Sequence, residues 1–234
     1  QQFIGTAAFV PEIDSLPKLL FAEKQVKQLQ RNYKGKFFLN ENATLGNFLF
    51  NCTGKSLVQV STHSTSNQQE SEEGLLLFKD GILKLDSLYG RRYPMDLCII
   101  SACQTGSGKQ EYGVGTRSFA RSFAYAGASG TISTLWCVDD KATAEVLEEF
   151  YRSLQHEPKV AGSLTFAKRN YLEQCKSPDL ANPFYWAGLV YCGKYDLAVT
   201  PTSKSISLEN LAIIGTLISL FALTILVYRR KKVN

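Results

Sequence analysis

The sequence predicts an α/β protein built on a mainly parallel sheet. Short apolar strand-like runs alternate with amphipathic helical stretches along most of the chain. Runs such as LVQV and LCII are apolar enough to be covered on both faces, and no internal repeat suggests a solenoid instead. The 234 residues, 44% hydrophobic and 20% charged, suit one well-buried globular domain plus an appendage.

In chain order, residues 16–33 (LPKLLFAEKQVKQLQRNY) space Leu19, Leu20, Val26 and Leu29 among charges at helical intervals. KFFLN reads as a strand, and NATLGNFLFN as a helix with an asparagine available as N-cap. SLVQVST, rich in β-branched residues, is a strand that leads directly to His63. After the polar stretch STSNQQESEEG, read as a solvated or substrate-facing loop, LLLFKDGILKL forms a hairpin around Asp80-Gly81. A strand over 96–102 leads to Cys103. TRSFARSFAYAGA is a helix ending at Gly127, and GTISTLW is a strand. DDKATAEVLEEFYRSLQ and VAGSLTFAKRNYLEQC are helices, and YWAGLVYCG is the last strand. Trp136 and Trp186 are read as core aromatics, with a pocket wall as the alternative.

The net charge of +5 is modest, and part of it sits in YRRKK near the C-terminus, which argues against a nucleic-acid surface. The six cysteines include no C-x-x-C pair, which leaves zinc ribbons and thioredoxin-type redox chemistry without support. Cys98, Cys137 and Cys192 lie in or beside apolar runs and read as buried structural thiols. A disulfide stays open if the domain faces an oxidising compartment. The chain opens without an initiator methionine or a signal peptide, so it reads as the C-terminal piece of a longer protein.

Residues 211–228 (LAIIGTLISLFALTILVY) carry no charge and run into Arg229, Arg230, Lys231 and Lys232. At 1.5 Å per residue they reach about 27 Å, close to a bilayer's hydrocarbon thickness. The expected organisation is therefore a domain over 1–198, a linker over 199–210, a single transmembrane helix over 211–228 and a basic tail over 229–234. The basic end belongs in the cytoplasm by the positive-inside rule, with the domain on the opposite side of the membrane.

Two of the expected strands end in residues able to act together. If their strands are parallel neighbours, His63 and Cys103 emerge at the carboxyl edge of the sheet, where ligands of open α/β sheets bind. A thiol becomes a strong nucleophile when an adjacent imidazole handles its proton. Small residues after Cys103 leave room for a substrate carbonyl, and the Cys103 N–H is placed to stabilise an oxyanion. The competing reading is a packed thiol and a structural histidine, and the pattern alone leaves both open. The other histidine, His156, sits in a polar stretch as a solvated helix end.

The blocks VQVSTH, LCIISACQTGSG, GTRSFARSFAYAGASGTISTLWCVDD, EEFYRSL and PFYWAGLVYCG, preceded by LPKLLFAEKQVKQLQ and NENATLGNFL, fall in an order that resembles the CHAT domain family. These are caspase- and separase-like cysteine peptidases of clan CD, often preceded by tetratricopeptide repeats. The resemblance spans about residues 16–196. It implies a caspase-haemoglobinase-like three-layer sandwich, His63 as base, Cys103 as nucleophile, and no cofactor or metal. It also implies a protein substrate and upstream regulatory repeats that lie outside this chain. The family usually has glycine after the histidine. Here Ser64 stands there, able to give its N–H to the oxyanion beside that of Cys103 but resistant to positive φ. LWCVDDK resembles the separase-like segment that supplies acidic residues to a pocket for a basic P1 side chain. Asp140 is the better match and Asp139 the fallback, and a helix cap is the competing role of equal weight.

The expected function is a membrane-tethered cysteine endopeptidase that cleaves after a basic residue. The alternative is a scaffold that keeps the fold and has lost catalysis, with Ser64 as its mark. A redox thiol sensor has no resolving cysteine close in sequence.

Overall fold

The structure, a computed structural model, describes residues 5–65, 74–102, 105–106, 110–111 and 115–203. Its elements in order are β1 (Thr6–Val10), α1 (Leu20–Asn32), β2 (Gly35–Leu39), α2 (Leu45–Asn51), β3 (Lys55–Ser61), β4 (Ser64–Thr65), β5 (Leu75–Phe78) and β6 (Gly81–Lys84). Then follow β7 (Met95–Ser101), β8 (Gln110–Glu111), β9 (Gly115–Thr116), α3 (Phe119–Ala126), β10 (Ala128–Thr134), α4 (Asp140–Leu154), α5 (Val160–Gln174), α6 (Pro183–Trp186) and β11 (Leu189–Gly193).

The main sheet runs β11-β10-β7-β3-β1-β2. Every neighbouring pair is parallel except β10 with β11. Alternate residues of each inner strand face opposite layers, as the strand period requires. Val58, Val60, Cys98 and Ile100 pack under α2, α3 and the β5–β6 hairpin, whose contributions include Phe48, Phe123 and Leu76. Leu57, Leu97, Ile99 and Ile132 pack under the other face with Val146, Phe150 and Leu164 from α4 and α5. α1 completes that layer, laying Ala22 and Val26 on Ala8 and Val10. Helices thus cover both faces of a mainly parallel sheet, the expected three-layer arrangement.

Several expectations change in detail. β1 is a strand the sequence reading did not assign, fully buried between β2 and β3. The helix after Asn42 is capped by Thr44, whose hydroxyl accepts the Asn47 N–H at 3.0 Å. Pro183–Trp186 is a short helical turn begun by Asn182, so the last strand starts only at Leu189. Cys98 is buried as expected, whereas Cys137 and Cys192 are exposed. Among the described residues the second buried thiol is Cys52, and burial pushes its pKa to about 11. The five described cysteines are free thiols.

The packed domain continues past the expected boundary at 198. Val199 is buried and donates its N–H to Pro158 O at 2.9 Å, and Thr202 O accepts the Lys34 N–H at 2.7 Å. Lys34 directly precedes β2, so Thr202 lies at the amino edge of the parallel strands. Residues 204–234, with the expected membrane span at 211–228, lie outside the described residues. Among the described residues no helix is long and apolar enough to cross a membrane.

Candidate active site

The site is built at the opposite, carboxyl edge of the sheet. β3 and β7 are parallel neighbours in a register that pairs Val60 with Ile100 and Ser61 with Ser101. The Thr62 N–H extends the pairing by one step, donating to Ser101 O at 3.1 Å. His63 follows two residues after Ser61. Cys103 follows two residues after Ser101 in sequence and lies outside the described residues.

The chain on both sides of Cys103 is tied to the end of β10. The Thr134 hydroxyl donates to Ala102 O and accepts the Thr105 N–H. In return, the Thr105 hydroxyl accepts the Thr134 N–H at 3.1 Å and donates to Ile100 O at 3.0 Å. The Gly106 N–H donates to Thr134 O at 2.8 Å. Thr105 and Thr134 are buried, so these bonds satisfy groups that water does not reach. Glycine is required at 106 by close approach, since a Cβ there would lie 2.5 Å from the Ser133 hydroxyl.

His63 is half-buried, and its Nε2 lies 2.8 Å from Pro17 O. A carbonyl only accepts, so Nε2 carries the proton and Nδ1 of the neutral ring keeps its lone pair. The backbone on either side is fixed by the hairpin. The Leu77 N–H donates to His63 O at 3.1 Å, and the Thr62 hydroxyl donates to Leu77 O at 2.5 Å. Ser64 starts β4 and pairs with Leu76 of β5. Asn40 is the one non-glycine residue with positive φ among those described, so Ser64 carries no left-handed strain. The positive φ that serine resists is not called for at this position.

The two acidic candidates have different engagements. Asp139 caps α4, accepting the Ala142 N–H at 2.8 Å, which is the capping role weighed for it. Asp140 reaches across to α1, where its two oxygens accept the N–H groups of Phe21 (2.9 Å) and Ala22 (3.1 Å). Burial raises the pKa of Asp140; the two amides and the nearby His63 partly offset that, and Asp139 adds to it. Trp136, also beyond β10, is half-buried and donates its indole N–H to Phe184 O at 2.9 Å. Trp186 packs against the core beneath α4 and α5.

Behind β3 lies a buried polar chain that the sequence did not single out. The Gln59 amide donates to Gln25 of α1 and to the Ser61 hydroxyl, each at 2.9 Å. Its oxygen accepts the Tyr151 hydroxyl at 2.7 Å. The strand that delivers His63 is thus bonded to the helices on either side of the Asp140 contact. A polar residue inside an otherwise apolar strand was the available signal. Among the described residues no group of three or more His, Cys, Asp or Glu side chains gathers to hold a metal.

With this geometry in hand, the comparisons decide the family. The model of the CHAT domain matches residues 9–194. The chain belongs to the CHAT domain family. Similar solved structures include the complex of pro- and mature domains of RgpB from Porphyromonas gingivalis, with TM-score 0.57 and 15% identity over 85% of this chain and 49% of that one. A chain described simply as a protease gives TM-score 0.57 and 12% identity over 84% of this chain and 48% of that one. The separase–securin complex from Saccharomyces cerevisiae gives TM-score 0.53 and 12% identity over 82% of this chain and 12% of that one. The CHAT chain therefore spans about half the length of the first two and a small part of the third. Among the curated proteins none matches the sequence. The CHAT chain shares the α/β fold with its mainly parallel sheet with these solved structures.

Proposed function

We propose that this CHAT domain is a cysteine endopeptidase in which Cys103 is the nucleophile and His63 the acid–base group. The observation that carries the reading is the register of β3 on β7. Ser61 faces Ser101, and each strand runs out at the carboxyl edge two residues before a reactive side chain. The bond from His63 Nε2 to Pro17 O supports it by leaving Nδ1 as the basic atom of the ring.

The Cys103 thiol gives its proton to His63, and the thiolate sulfur adds to the scissile carbonyl carbon. The N–H groups of Cys103 and Ser64 are proposed to receive the oxyanion. Collapse expels the amine, which takes the proton from His63, and water then cleaves the thioester. The proposed substrate is a protein. A preference for a basic P1 residue is assigned to Asp140, the better match of the two acidic candidates; Asp139 caps α4. The apolar segment 211–228 is proposed as a membrane anchor with the basic tail cytoplasmic and the domain on the other side. Upstream regulatory repeats remain the proposed partner.

The test is alkylation of all six cysteines of the full chain as a function of pH, read by mass spectrometry, with and without His63→Ala. The expected result is fast labelling of Cys103 well below pH 8.5, the midpoint of an ordinary thiol, lost in the variant. Labelling of Cys103 that is slow and indifferent to His63→Ala refutes the enzyme and favours a scaffold. Peptide reporters with Arg, Lys or Leu at P1 then test the preference assigned to Asp140.

A further inference from the structure

Asp140 and His63 lie far apart in sequence, yet both bind the same short turn of chain, residues 17–22. Pro17 is three residues before α1 and offers its carbonyl to His63 Nε2 at 2.8 Å. α1 begins at Leu20, and its N-cap residue, Leu19, provides no side-chain bond to the first-turn amides. Those amides are orphan donors unless something else accepts them. Asp140, from the start of α4, accepts two of them, Phe21 and Ala22, with one oxygen each.

We infer that Asp140 is a positioning residue for His63: by clamping the amino end of α1 it holds the Pro17 carbonyl against Nε2 and so fixes the ring with its lone pair on Nδ1. The inference rests on the peptidase reading in taking His63 as the acid–base group. The carboxylate does not touch the thiol or the substrate in this role and acts through the backbone of 17–22. Asparagine at 140 keeps one acceptor oxygen and so holds one of the two amides. Glutamate keeps the charge but carries the oxygens one methylene further out.

Two measurements on the full chain test this. The first is the rate of Cys103 alkylation by iodoacetamide, which bears no P1 side chain and so does not report on substrate preference. Asp140→Asn is expected to slow it tenfold or more at pH 7, and Asp140→Glu to slow it similarly. In a His63→Ala background Asp140→Asn is expected to change the rate by less than twofold. Wild-type labelling in Asp140→Glu shows that the charge alone acts, and overturns the clamp. An equal loss with and without His63 overturns it as well.

The second is the long-range 1H–15N spectrum of the two histidine rings, with exposed His156 as internal reference. His63 is expected in the Nε2–H form, and Asp140→Asn is expected to raise its Nδ1–H fraction threefold or more. An unchanged tautomer in a folded Asp140→Asn chain overturns the inference. This readout does not depend on Cys103 being a nucleophile, so it separates failure of the clamp from failure of the peptidase reading.

Discussion

Thr134→Val removes one hydroxyl from the knot that flanks Cys103 and keeps the shape of the side chain. In the wild type that hydroxyl donates to Ala102 O and accepts the Thr105 N–H. Ala102 and Thr105 are 3% and 1% exposed, so neither group gains water when its partner goes. A buried donor or acceptor left unpaired costs about 1–3 kcal/mol. The Thr105 hydroxyl keeps its bonds to Ile100 O and to the Thr134 N–H, so two groups are orphaned and the loss is roughly 2–4 kcal/mol. At a urea m-value of about 2 kcal/mol/M this moves the midpoint down by about 1–2 M. The assay is equilibrium urea unfolding followed by the fluorescence of Trp136 and Trp186. Thr131→Val serves as control on the same strand, since its hydroxyl bonds the carbonyl of exposed Cys192 at 3.3 Å. It is expected to cost under about 1 kcal/mol. A Thr134→Val chain within about 0.5 kcal/mol of wild type, or no less stable than Thr131→Val, refutes the reasoning.

Gly106→Ala is expected to destabilise by about 1–3 kcal/mol, because the new methyl meets the Ser133 hydroxyl at 2.5 Å. Among the described residues that buried hydroxyl has no partner, so Ser133→Ala alone is expected to be neutral or stabilising, and the double variant to recover at least half of the loss. Urea midpoints of the four chains check this, and additive losses contradict it. The Cys52 thiol has its folded pKa raised to about 11 by burial, so the unfolded chain ionises first. Its contribution is complete below about pH 8.5 and is lost as pH rises through 11. Wild type is therefore expected to lose stability relative to Cys52→Ala between pH 8 and pH 10.5, by roughly 2 kcal/mol; parallel pH profiles refute the burial effect. Asp140 also has a raised folded pKa, so its contribution is present below the ordinary value of 3.8 and lost as pH rises through the folded value. Stability relative to Asp140→Asn is expected to improve as pH falls from neutral into the acid range, and a difference that widens against wild type at low pH contradicts it.

The strands that carry the candidate site were legible because their patterns end abruptly. β3 and β7 are largely apolar through Val60 and Ile100, end in Ser61 and Ser101, and then meet polar or small side chains, which is how a buried parallel strand stops at a functional edge. The hairpin was legible from Asp80-Gly81, and the start of α4 from its aspartates. β1 was not, since TAAFV is short and two of its five residues are alanine, which strands disfavour. The exposure of Cys137 and Cys192 was misjudged because an apolar neighbourhood in sequence says little about which side of a strand end faces water. Tyr185 and Trp186 looked like strand residues by propensity, yet Asn182-Pro183 starts a helical turn there.

The bonds that matter most at the site join residues that no local window compares. Thr105 and Thr134 are 29 residues apart, and Gln59 and Tyr151 are 92 apart. His63 and Pro17 are 46 apart, and there the partner is a backbone carbonyl, which every residue possesses. No side-chain pattern can mark such a partner. What the sequence does record is the means of holding it: a proline, whose ring fixes φ at 17, and an acidic residue at 140 that meets two otherwise orphaned amides. In the sequence Asp140 stands out for the charge it offers a basic substrate side chain. Its geometry gives it work inside the domain as well, and a carboxylate with four lone-pair directions can accept two amides and still present a negative field. The two roles separate experimentally, because a P1 preference vanishes with an alkylating agent that has no side chain, whereas a dependence on His63 does not.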